Sequence, residues 1–245
     1  MKNIERETNS AAVLEIFHPF EDVICQHIDE GLGKGTAERI KQSLGINEIK
    51  KFALSQPVDY INILKEHALS EKNDGLLFKI FPGHISEREK LKEVISISDC
   101  IVLLKRNTLQ SYISNKKAMQ VGTYANVDTS SVKVDFNSNE FINWRRSIYS
   151  FFNTVFEIAN ELKESVTSFN YEELYAPSDS SKESLYELLD LKSRVAQINQ
   201  VVLKKQDKNT TAVGKVNNDR EMVSFLIENG WEEMDSITCV DLADK

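Results

Sequence analysis

The chain is poor in several things, and each shortage excludes something. Its 245 residues contain three cysteines, Cys25, Cys100 and Cys239, far apart, odd in number and without a CxxC spacing. That usage excludes a disulfide framework and fits reduced thiols in a cytoplasmic protein. The four histidines, His18, His27, His67 and His84, are scattered along the sequence and do not cluster there, so no metal site is expected. No run approaches the roughly 20 apolar residues needed to cross a bilayer, and the N-terminus lacks the basic-then-apolar pattern of a secretory signal. Positive charge is also short: the formal net charge is −8, which excludes nucleic-acid binding by bulk attraction. An anionic ligand must be held by a few local cations and backbone amides.

What remains is an ordinary globular balance, 41% apolar and 28% charged, enough to build a core. Apolar residues at helical spacing predict a helix over 20–29, with Gly31 as its stop and Thr36 as the cap of the next. A further helix is predicted after Pro57. The run "LLFKIF" (Leu76–Phe81) is short, apolar and bounded by turn residues, which suits a buried strand. "SERE" (Ser86–Glu89) has the form of a capping box and opens a helix, and "CIVLLK" (Cys100–Lys105) is a second strand. Strand, helix and strand predict a βαβ unit with its two strands parallel and adjacent. Asn107 can cap the helix that follows. Long helices are expected over 140–164, near 182–198 and over 219–229. Val166–Tyr171 is a candidate third strand, and Lys204–Asn218 a basic loop.

"DEGLGKGTAERI" (Asp29–Ile40) looks like a phosphate-binding loop. Such loops follow a strand and open a helix, so that their amides face the phosphates. Here a helical pattern precedes it, the first glycine of the motif is missing, and Asp29 and Glu30 would repel an anion. It reads as a helix–turn–helix connection. A better phosphate candidate is "VLLKRNTLQSYISNKKA" (Val102–Ala118), where Arg106 stands at the carboxyl end of a strand, Asn107 opens a helix and Ser114 lies two turns along it.

"KRN" followed by Ser114 resembles the segment with which sulfotransferases hold the 3′-phosphate of 3′-phosphoadenosine 5′-phosphosulfate (PAPS). "LLFKIFPGH" (Leu76–His84) resembles the family's strand ending in a catalytic Lys or His. "LEIFHPF" (Leu14–Phe20) is similar to its "GEIF" segment, "FNYEELY" (Phe169–Tyr175) to its "YEDL" turn, and "GKVNNDREMVSFL" (Gly214–Leu226) to the terminal helix of bacterial members. The resemblance implies one α/β domain over 1–245, a three-layer α/β/α parallel sheet of sulfotransferase type. Its best-matching core is 76–230, and a helical insert or cap covers 20–70. It implies PAPS, or adenosine 3′,5′-bisphosphate, as the nucleotide, with Arg106, Ser114, Asn107, Lys204 and Lys205 binding it. It implies Lys79 and Glu15 as catalytic residues, without a metal; His84 is a further catalytic candidate, as base, because an unperturbed imidazole titrates near neutral pH, although Phe81 occupies the family's usual Lys-x-His position. The acceptor would be a hydroxyl or amine on a carbohydrate, lipid or small metabolite. The thirteen residues before Leu14 show no strand and no glycine, so the 5′-phosphosulfate strand and loop are expected to be missing or displaced. The alternative is a truncated or non-catalytic relative that binds a nucleotide or a partner. Neither the acceptor nor the oligomeric state can be read from the sequence.

Overall fold

A computed structural model describes residues 10–122, 127–171, 184–185, 188 and 211–231. The fold is mixed α/β, with eight helices and two parallel two-stranded sheets among the described residues. The chain divides into two compact units: residues 1–101, 154–165 and 184–198 form one, and 102–153, 166–183 and 199–245 the other.

The first unit begins with strand β1, Ser10–Ala12, and continues through helices α1 (Glu21–Leu32), α2 (Thr36–Leu44), α3 (Ile49–Ser55) and α4 (Pro57–Ser70) to β2, Gly75–Leu77, and α5, Arg88–Ser96. β1 and β2 pair in parallel, with Ser10 opposite Gly75 and Ala12 opposite Leu77. The expected absence of a strand before Leu14 is therefore corrected. Ser-Ala-Ala has little intrinsic preference for a strand, and tertiary packing makes it one. Gly31, which continues α1 rather than ending it, lies so close that a Cβ there would sit 2.6 Å from the Ala12 carbonyl oxygen. Only glycine allows that approach.

The second unit takes its sheet from β3 (Ile101–Lys105) and β4 (Val166–Asn170). The segments β2 and β3 thus each have another partner, β1 and β4, and the adjacent pairing expected of them is not formed. β2 is also shorter than "LLFKIF" suggested, ending at Leu77. Helix α6, Thr108–Val121, follows β3. Its N-cap is Asn107, as expected: the Asn107 side-chain oxygen accepts the Gln110 N–H at 2.9 Å. Helix α7 spans Ser138–Leu162, and α8, Asp219–Glu228, follows a 3₁₀ turn at Val213–Lys215. Tyr112 from α6, Phe141 from α7 and Met222 and Leu226 from α8 share one buried cluster, with Trp144 packed against it. Of the predicted helix near 182–198 only residues 184–185 and 188 are described, and these are helical; Lys204 and Lys205 lie outside the described residues.

Two expected caps take other forms. α2 is capped by Gly35 at φ 82°, and the Thr36 hydroxyl instead reaches back to the Gly33 carbonyl at 2.7 Å. α5 has Glu87 at its N-cap position and no side-chain cap, so the "SERE" box is not formed. In both cases the chain enters the helix one residue away from where the motif requires.

Candidate active site at the ends of β1 and β2

The register of β1 on β2 does not stop at the strand ends. The Val13 N–H donates to the Leu77 carbonyl at 2.9 Å, and the Lys79 N–H to the Leu14 carbonyl at 2.8 Å. This extended ladder carries Glu15 and Lys79 side by side at the carboxyl ends of two parallel strands, the usual place for a ligand in α/β sheets. Their side chains meet: Lys79 Nζ is 3.2 Å from Glu15 Oε1. The ammonium also lies 4.8 Å over the Phe81 ring.

Histidines close around the same carboxylate. Glu15 Oε2 is 3.8 Å from His18 Nε2 and 3.9 Å from His84 Nε2, and the two rings are 5.8 Å apart, edge to face. His27 Nδ1 accepts the Glu15 N–H at 3.2 Å. Three of the four histidines therefore gather here, contrary to their scatter in the sequence. "HPF" beside Glu15 was the only local signal for His18.

The rings are set by the backbone. The Phe20 N–H donates to His18 Nδ1 at 3.1 Å, and the Phe81 N–H to His84 Nδ1 at 3.3 Å. A neutral imidazole that accepts at Nδ1 carries its proton on Nε2. Both rings thus present an N–H towards Glu15. A metal-ligating histidine has the opposite pattern, donating from its second nitrogen and offering a lone pair to the metal. No group of metal-ligating side chains is formed among the described residues. Burial pushes the His84 imidazole down to about 4, with the Glu15 carboxylate only partly opposing it, so the ring is neutral at pH 7. Burial also lowers His27.

The phosphate candidates belong to the second unit. Arg106 leaves the carboxyl end of β3, and its guanidinium lies 5.0 Å over the Tyr171 ring. Tyr171 is anchored in turn, its N–H donating to the Lys105 carbonyl at 2.7 Å. Asn107 is buried and uses its side-chain oxygen for the cap. Ser114 is half-buried on α6.

The Gly-Lys-Gly-Thr turn has a different occupant. Asp29 Oδ2 accepts the Gly35 N–H at 3.0 Å and Oδ1 accepts the Ala37 N–H at 2.9 Å. The amides that would face a phosphate are already bound to a carboxylate from the preceding helix.

No family model matches the chain, and no curated protein or solved structure matches it.

Proposed function

We propose that the chain is a sulfotransferase, moving a sulfuryl group from PAPS to a hydroxyl or amine acceptor. The observation that carries this reading is the meeting of Glu15, Lys79 and His84. Glu15 comes from one segment and Lys79 and His84 from another; the family resemblance singles out Glu15 and Lys79, while Phe81 occupies the family's usual Lys-x-His position. In the transfer the acceptor oxygen or nitrogen bonds to sulfur while the bond from sulfur to the bridging phosphate oxygen breaks. The acceptor's proton goes to Glu15, and adenosine 3′,5′-bisphosphate leaves carrying the negative charge. Lys79 offsets that charge as it develops. When Lys79 turns to the donor its hold on Glu15 loosens, which frees the carboxylate to act as base. His84 is less suited to that task, because its Nδ1 is occupied by a backbone N–H and its Nε2 carries a proton.

Arg106, the field of the α6 N-terminus and Ser114 hold the 3′-phosphate in this reading. Asn107 fixes the start of that helix, and Lys204 and Lys205 are further nucleotide-binding residues in this reading. The reading includes the three-layer sulfotransferase arrangement. Parallel pairing in both sheets, and a helix after each of β1, β2 and β3, support it.

Calorimetric titration of adenosine 3′,5′-bisphosphate and adenosine 5′-monophosphate tests the proposal. The bisphosphate is expected to bind more tightly. Arg106→Ala should weaken it by roughly ten- to a hundredfold and Ser114→Ala by several-fold. Equal binding of the two nucleotides would overturn the reading.

A further inference from the structure

A cleft of about 240 Å³ opens in the first unit, with His84 in its wall. Phe17, Ala53 and Pro57 supply apolar wall, and His84, Lys50 and Lys90 supply polar groups. We propose that this cleft holds the acceptor, and that the acceptor is a small alcohol carrying an anionic group, phosphate or carboxylate, rather than an amine. The word acceptor rests on the sulfotransferase reading; the preference for negative charge does not.

His84 ties the cleft to the chemistry. Its side chain is only 8% exposed, lines the cleft, and directs Nε2 towards Glu15 without reaching hydrogen-bond distance. A hydroxyl entering from the cleft can take that N–H and present its own proton to the carboxylate.

The charge at the rim gives the selectivity. Lys50 Nζ donates to the Pro19 carbonyl at 2.7 Å, and Lys90 Nζ to the Ser55 carbonyl at 2.8 Å. Both ammoniums are therefore anchored by neutral acceptors, and each has further N–H groups to offer. Lys90 has Glu93 at 3.7 Å, while no carboxylate lies within ion-pair distance of Lys50 Nζ among the described residues. Glu87 is the one acidic residue lining the cleft, against two lysines. An anionic ligand meets two fixed cations there. A primary amine, protonated at neutral pH, meets the same two as repulsion.

Three sugars of one size, differing in charge, test this by calorimetry on the full chain: glucose 6-phosphate, glucose and glucosamine. The phosphate sugar is expected to bind about tenfold or more tightly than glucose, and glucosamine most weakly. The double variant Lys50→Met, Lys90→Met keeps the apolar stems and should bring the three affinities within about threefold. Thermal melting of the variant checks that it is folded, and wild-type rankings stand on their own if it is not. Inorganic phosphate is expected to bind more weakly than glucose 6-phosphate; equal binding would mean the cleft takes the anion alone and overturn the alcohol. Glucosamine binding as tightly as glucose 6-phosphate, or no sugar binding at about 1 mM, the upper end of ordinary substrate KM values, overturns the proposal. Titration of adenosine 3′,5′-bisphosphate into the same sample separates the two readings. If it binds while the sugars show no charge order, only the acceptor assignment falls. If it does not bind, the sulfotransferase reading falls, and a charge order among the sugars still upholds the anion preference of the cleft.

Discussion

Asp29 and Glu15 are two acidic residues of the same unit, and both are ringed by donors. Asp29 is held by backbone amides at 3.0 and 2.9 Å, fixed in the opening turn of a helix. Glu15 is faced by the Lys79 ammonium at 3.2 Å, on a side chain that can rotate, and by two histidine rings at 3.8 and 3.9 Å, set by backbone N–H groups but beyond hydrogen-bond distance of the carboxylate. The first arrangement uses up an anion site: the turn that looks most like a phosphate loop carries its own carboxylate. The second leaves its donors available for exchange with a ligand. Proximity of charge alone does not separate a structural carboxylate from a reactive one; what separates them is whether the donors can let go.

The largest effect expected from this contrast is at Glu15. On the proposed reading, Glu15→Gln should reduce sulfuryl transfer by roughly 10²–10⁴, the usual contribution of a positioned base, while the melting temperature stays near wild type. A variant that lost stability and kept its rate would break the contrast. Next is the pH response of His84, whose folded value near 4 lies below the ordinary 6.5. Between these values the unfolded chain binds the extra proton, so stability present above pH 6.5 is lost as pH falls towards 4. The loss should be on the order of 1–3 kcal/mol in urea unfolding and smaller in His84→Gln. Asp29→Ala should cost about 1 kcal/mol, as loss of a helix cap does, with the transfer rate unchanged in the folded fraction. Lys34→Ala, in the same turn, should leave adenosine 3′,5′-bisphosphate affinity within about twofold of wild type, measured by calorimetry; a tenfold loss would return the turn to the nucleotide.

Helices were the legible part of this fold. Pro57–Ser70, Ser138–Leu162 and Asp219–Glu228 follow from apolar spacing, and Asn107 from cap chemistry, because these signals are local. β1 was not legible. Ser10–Ala12 is strand only because β2 pairs with it and Gly31 lets α1 approach. β2 pairs with β1 and β3 with β4, pairings that apolar runs alone do not specify. Glu15 and Lys79 were named from the resemblance and His84 from the chemistry of imidazole, without a geometric reason to join them. His18 and His27 escaped notice because nothing in the sequence shows that a loop and a helix bring their rings to one residue, His18 to the Glu15 carboxylate and His27 to its backbone N–H.

The β1–β2 ladder also sets an order of events for the folding chain. Its two strands flank the whole run of helices α1 to α4, so the pairing closes a long loop and pays the entropy of doing so before any hydrogen bond forms. The helices, whose contacts are nearer in sequence, can gather first and shorten that search. Glu15 and Lys79 come together only at the closing step, and a ligand that bridges them binds the finished ladder alone. Such a ligand would pull the last step of folding to completion by mass action, and substitutions deep in the helices would lower activity simply by leaving the ladder open more of the time.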